Sequence, residues 1–189
     1  EVPAAGSRLV QSDLGRTLQF LCDEEAAAGG DRRHGLDAVR KAFYQGDIAT
    51  AIVAHQRDNG GILDAQDLKD FRCQTLPTVA RDYRFNGETV EIHTCGAWSQ
   101  GPTLHAALSM LEGVDVAALE FGSSAYYHAV AEALKLAFAD RDAYLGDPDF
   151  VDVPVEAWLS EEYAHAQRAR IDPRRASPGM PAPGNIPGF

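Results

Sequence analysis

The sequence predicts a helix-rich α+β fold that is incomplete by itself. Three observations carry this: about seven helical segments, a single β-hairpin signal, and no further strand for that hairpin to join. An isolated two-stranded hairpin is marginal in water, so its apolar face calls for a larger sheet. The missing strands are therefore expected from chain outside these 189 residues.

The helices come in order. Within Ser7 to Ala28, Leu9, Leu14, Leu18 and Leu21 lie near one helical face, and Gly29-Gly30 ends the segment. A second helix is expected from Leu36 to Tyr44. Gly46-Asp47 caps a third, on which Ile48, Ala51, Ile52 and His55 share a face until Asn59-Gly60-Gly61 stops it. Asp64 with Asp67 three residues on suits a capped one-turn helix before Leu68.

Thr78 to Phe85 and Glu88 to Cys95 flank Asn86-Gly87, the strongest short hairpin signal. Val90, Ile92 and Thr94 alternate with Glu91 and His93. After Gly101-Pro102, a helix from Thr103 to Glu112 closes at Gly113. The longest helix starts at Ser123 or Ser124 and carries a stripe of Tyr127, Val130, Ala131, Leu134, Phe138 and Leu145. Gly146 and Pro148 end it. A last helix, Ser160 to Ile171, opens on Glu161 and Glu162 and closes on Arg168 and Arg170, a charge order that complements the helix dipole.

Composition excludes some classes. With 45% hydrophobic and 24% charged residues the chain reads as an ordinary globular protein. No apolar run reaches the roughly 20 residues of a membrane span, so no membrane partner is expected. Seventeen basic against 28 acidic residues give a charge of -11, which argues against nucleic acid. Cys22, Cys73 and Cys95 are odd in number and lack CxxC spacing, so they are expected as buried free thiols. They mildly favour a reducing, cytoplasmic setting, with a periplasmic one left open and a partner chain able to supply a fourth cysteine. No cofactor is expected. Glu1 is no initiator methionine, and residues 177–189, with four prolines and three glycines, read as an extended tail. Residues 1–176 read as one domain portion and 177–189 as its tail.

Candidate chemistry is sparse. Ala97-Trp98-Ser99-Gln100-Gly101 follows a strand and precedes a helix, where a nucleophilic serine could sit, but Ala97 replaces the first glycine of that elbow. The competing reading is a tight turn in which Ser99 or Gln100 bonds to backbone. The histidines form no HxH or HExxH motif, so no metal site is supported. His128 and Glu132 are spaced for an ion pair, and His93 and His105 flank the turn. Asp140, Arg141, Asp142, Asp147, Asp149 and Asp152 form an acidic run without the EF-hand pattern, which suggests Arg141 pinning that loop. Gly29-Gly30 and Gly60-Gly61 lack a phosphate-loop context.

Several stretches in succession resemble the γ-glutamyltransferase family. Arg8 to Leu14 with Thr17-Leu18 is similar to RLVQPDLAxTL, Ala42 to Ala49 to AFYxGxIA, and Asn59 to Leu63 to the family's GGxL segment. Ala131 to Arg141 resembles AEAxKLAFADR, and Tyr144 to Phe150 its YLGDPDF continuation. The resemblance implies the helix-rich part of an αββα N-terminal-nucleophile (Ntn) hydrolase sandwich, completed by another chain. It further implies a precursor that cleaves itself just before a threonine, shortly after Phe189. That threonine heads the small subunit and attacks an amide carbonyl, with its own α-amino group as base. The partners implied are this small subunit, the upstream part of the large subunit, and a small-molecule amide such as glutathione. No catalytic residue is expected in this chain, since that threonine heads the small subunit, and the family's carboxylate-binding arginine lies upstream of Glu1. Where the family has PPPSSGG, this chain has Gly96-Ala97-Trp98-Ser99-Gln100-Gly101-Pro102, so Trp98, Ser99 and Gln100 are the substrate-binding candidates and other amides enter consideration. Two alternatives stand beside this reading: a serine hydrolase using Ser99, and a non-catalytic homologue that keeps the scaffold.

Overall fold

The structure, a computed structural model, describes residues 2–85 and 87–189. It forms two compact units, Glu1–Gln74 and Thr75–Phe189.

The first unit is helical: α1 (Ser12–Ala28), α2 (Arg32–Gln45), α3 (Asp47–Asp58) and α4 (Ala65–Asp70). Asp31 caps α2 by accepting the His34 N–H, so this helix begins four residues before the expected Leu36. Asp64 accepts the Gln66 and Asp67 amides while Asp67 accepts that of Asp64, the reciprocal capping box its spacing announced. Gly60 has φ 73°, a left-handed conformation that suits glycine after α3. Helix α1 starts at Ser12 rather than Ser7, so Leu9 lies outside it; Leu9, Leu14 and Leu18 are exposed, Leu21 is half-buried, and the helix has no buried residue. What binds the unit is local. The Arg40 guanidinium lies 5.2 Å from the Tyr44 ring centre, and Tyr44 stacks on Phe71 at 5.6 Å. Arg32 pairs with Glu25 to join α1 and α2.

The second unit holds the hairpin and four helices. Strands β1 (Val79–Phe85) and β2 (Glu88–Thr94) pair antiparallel, Val79 opposite Thr94 and Tyr83 opposite Val90. Gly87 of the expected turn has φ 82°, whereas Asn86 lies outside the described residues. Then follow α5 (Gly101–Glu112), a single 3-10 turn at Val116–Ala118, α6 (Ser124–Tyr144), α7 (Val155–Trp158) and α8 (Glu161–Arg168). Ser123 and Ser160 cap α6 and α8 through the Tyr126 and Tyr163 amides. Pro102 sits in the first turn of α5, where a missing N–H does no harm.

The core is where α5 meets α6. Ala106, Ala107 and Met110 face Ala133, Leu136 and Ala137, with Trp158, Leu159 and Ile186 completing the cluster. Helix–helix separation follows the side chains at the contact, so alanines on both sides bring α5 and α6 close. This corrects the stripe expected for α6. The face bearing Tyr127, Ala131 and Leu134 is exposed, and the alanine face opposite is the buried one. The alternation in β2 holds for Ile92 and Thr94, which are partly covered, while Val90 stays exposed.

Two further expectations are corrected. All three cysteines are exposed thiols, not buried ones. Residues 177–189 do lack helix and strand, but they are seated: Ile186 is 1% exposed in the core. Among the described residues no helix is long and apolar enough to cross a membrane.

Candidate functional site

The segment that departs from the family pattern is a turn joining β2 to α5. The Ser99 N–H and hydroxyl both donate to the Gly96 carbonyl, each at 3.0 Å, and the Ser99 Oγ accepts the Gly101 N–H at 3.1 Å. A Cβ on Gly101 would stand 2.0 Å from the Cys95 carbonyl oxygen and 2.6 Å from Thr94 Oγ1, so only glycine fits there. The Gln100 carbonyl accepts the Thr103 N–H and starts α5. The residue types thus dictate the local shape: a small hydroxyl closes the loop and a glycine lets it turn back against its own strand.

Arg141 fastens the turn from α6. Its Nη1 donates to Gln100 Oε1 at 3.0 Å, its remaining nitrogens to Asp142 at 2.6 and 2.9 Å, and it lies 4.4 Å from the Phe138 ring centre. A planar guanidinium can make all of these contacts at once. The expected pairing of Arg141 with a carboxylate of the acidic run is present at Asp142, but its other contact is to the Trp98 turn rather than to the loop after α6. Asp147 instead caps its own loop through the Asp149 amide.

The candidates separate by commitment. Trp98 is 56% exposed and its indole is open. The Ser99 hydroxyl is used up in closing the turn, and among the described residues no histidine hydrogen-bonds to it. His93 bonds to Thr78 at 2.9 Å and pairs with Glu91, while His105 is fully buried against Tyr83 and Val79. Ser99 thus lacks the adjacent base that a nucleophilic serine requires. Burial, opposed by the bond to Val79, lowers the His105 pKa below 6.5. Nor do His128 and Glu132 pair. The His128 Nε2–H donates to the Asp172 carbonyl at 2.8 Å, and Glu132 binds Lys135 at 2.6 Å.

Glu132 is 4% exposed and also accepts the Ser177 N–H at 3.2 Å, while Lys135 donates to the Ser177 carbonyl at 3.0 Å. Burial works against its charge, but the bonds from Lys135 and Ser177 outweigh it and draw the carboxyl down to about 2. In the first unit, an open cleft of about 570 Å³ runs beside Tyr44, Thr50, Arg57 and Lys69. It offers two cations and no nucleophile–base pair.

Comparison with known proteins places this arrangement. The γ-glutamyltranspeptidase family model matches residues 1–185. The chain belongs to that family. It is 36% identical over 164 residues to the glutathione hydrolase-like YwrD proenzyme of Bacillus subtilis strain 168, covering 87% of this chain and 28% of that protein. To the acylase ACY 1 proenzyme of Pseudomonas sp. strain SE83 it is 36% identical, covering 90% of this chain and 28% of that protein. The crystal structure of Helicobacter pylori γ-glutamyltranspeptidase matches with a TM-score of 0.70 and 33% identity, over 92% of this chain and 45% of that one. This γ-glutamyltranspeptidase-family chain therefore spans less than a third of the curated relatives' length, and its fold is the helix-rich α+β portion of an Ntn hydrolase.

Proposed function

We propose that this chain is the C-terminal portion of the large subunit of a self-processing enzyme that hydrolyses amides or transfers their acyl groups. The observation that carries the reading is the match of the family model to residues 1–185, joined to a turn that holds no nucleophile of its own. Residues 1–176 are the domain portion and residues 177–189 lead to the self-cleavage site. The catalytic threonine then heads the small subunit. Its hydroxyl attacks the amide carbonyl, an ester forms as the C–N bond breaks, and the amine leaves with the proton. Water or an acceptor amine resolves the ester and restores the hydroxyl. The acyl group is a γ-glutamyl group, as in glutathione, or that of another small amide.

Trp98, Ser99 and Gln100 border the substrate in this proposal. Trp98 does so with its open indole, and Ser99 and Gln100 by fixing the turn that presents it. An aromatic face in place of prolines suits a bulkier or flatter acyl group than γ-glutamyl.

The test uses the full precursor. On a denaturing gel it is expected to resolve into two chains, and the product to hydrolyse a γ-glutamyl anilide or simple aryl amides. A single uncleaved chain with neither activity refutes the reading. Trp98→Ala is expected to change the ratio of rates on those substrates several-fold while self-cleavage continues. Equal losses in both would make Trp98 a packing residue.

A further inference from the structure

We propose that Asp140 and its neighbours form a backbone clamp on residues 182–186, and that this clamp positions the following chain for self-cleavage. The inference rests on the self-processing reading above and assigns residues to that step.

A chain segment without helix or strand ordinarily frays. Here side chains from α6 and from the turn after α8 are committed to its backbone. Asp140, 0% exposed, accepts the Gly184 N–H at 2.7 Å, and Tyr144 donates its hydroxyl to the Gly184 carbonyl at 2.5 Å. The second layer is equally specific. Gln167, 2% exposed, donates to both Asp140 oxygens at 2.8 and 2.7 Å and to the Tyr163 hydroxyl at 3.0 Å. Arg170 bridges the two layers, donating to Gln167 Oε1 at 2.5 Å and to the Ala182 carbonyl at 2.6 Å. A buried carboxylate is costly unless its charge is met. Among the described residues no cation pairs with Asp140, so amide donors meet it, and one of them belongs to the strap itself.

A side chain at Gly184 would also push the clamp's own atoms aside. A Cβ on Gly184 would stand 2.2 Å from the Tyr163 hydroxyl and 2.5 Å from Gln167 Nε2. Two residues on, Ile186 enters the core beside Trp158. The strap is thus held at its backbone by the clamp and at Ile186 by packing, three residues before Phe189. In a self-cleaving chain the scissile carbonyl must meet its nucleophile in one geometry, and misplacement by about 1 Å can cost on the order of 100-fold in rate. A rigid anchor just ahead of that bond supplies such a constraint. Asp140 and its neighbours are positioning residues here, acting through the chain they hold.

The test follows cleavage of freshly made full precursor on a denaturing gel, beside its Tm. Gly184→Ala is expected to slow cleavage at least 10-fold, and Arg170→Met, which removes the bonds to Gln167 and to the Ala182 carbonyl, a few-fold. Adding Tyr163→Phe to Gly184→Ala removes the nearest clash and is expected to restore part of the rate. The control is Tyr83→Phe, which removes a buried hydroxyl from the contact of the hairpin with α5, outside the cluster that seats Ile186. Wild-type cleavage rates in Gly184→Ala would overturn the proposal. So would equal slowing by Tyr83→Phe at matched Tm loss, since cleavage would then track stability alone. A wild-type precursor that never cleaves would sink the self-processing reading itself.

Discussion

Glu132→Gln removes one negative charge from the junction of α6 with the chain at Ser177 and leaves its shape intact. With the carboxyl drawn to about 2 from 4.5, the full linkage is 2.5 pH units, an upper bound of about 3 kcal/mol. Lys135 is 29% exposed, and screening there reduces the figure to about 1.5 kcal/mol. The sign is fixed by the direction of the shift. A depressed carboxyl stabilises the fold above its unfolded value of 4.5, and this stabilisation is lost as pH falls towards 2. Urea unfolding of the wild type and Glu132→Gln, followed by circular dichroism from pH 7 to pH 3.5, reads the gap directly. The variant is expected to be less stable by about 1.5–3 kcal/mol at pH 7, with about 40% of that gap gone by pH 3.5. A gap that stays constant across this range would show that shape, not charge, holds Ser177.

Other consequences are equally concrete. Gly101→Ala places a methyl 2.0 Å from the Cys95 carbonyl and is expected to cost more than about 2 kcal/mol, read as a Tm fall; an unchanged Tm refutes the tight turn. Arg168→Met strips the donors from the Met110 and Ser109 carbonyls, which it now reaches at 2.7 and 2.8 Å, and is expected to cost about 1–3 kcal/mol in urea unfolding. His105 is held neutral by burial, so its imidazole resonance should titrate below 6.5. Its contribution to stability is complete above that value and declines as pH falls beneath it, and a pKa above 6.5 would refute the buried assignment.

The parts legible in the sequence were those written in local chemistry. Asp64 with Asp67, Ser123 and Ser160 announce helix starts because each oxygen needs only an amide two or three residues away. The face of α6 was not legible in that way. Hydrophobic ranking favours Tyr127 and Leu134, yet the unit packs Ala133 and Ala137 against Ala106 and Ala107, since small residues let two helices approach. The thiols failed for a related reason: cysteine is usually interior, but Cys22, Cys73 and Cys95 fall on faces that nothing in their own unit covers. Of the candidate site, the turn was foreseen from Gly96 to Gly101, whereas its anchor Arg141 and the clamp at Asp140 depend on partners 41 and 44 residues distant. Pairings at that separation leave no periodic trace.

The inversion on α6 bears directly on function. A self-contained domain buries its bulky apolar residues and leaves alanine wherever space is short. Here the α5–α6 contact consumes the alanines, while Tyr127 at 61% and Leu134 at 38% exposure face outward, as Val90 does on the hairpin. Side chains so placed leave apolar surface available to a partner chain. It accords with the proposal that a small subunit supplies the missing strands and the reactive threonine. On that view the chain's own contribution to chemistry is geometric. One turn, bolted by Arg141, presents Trp98 to the substrate, and one strap, gripped at Gly184, presents the backbone to be cut. Both are held from α6, by residues adjacent in sequence at 140 and 141. Helical geometry turns such neighbours about 100° apart, so a single short segment can fix two structures on different sides of the same helix.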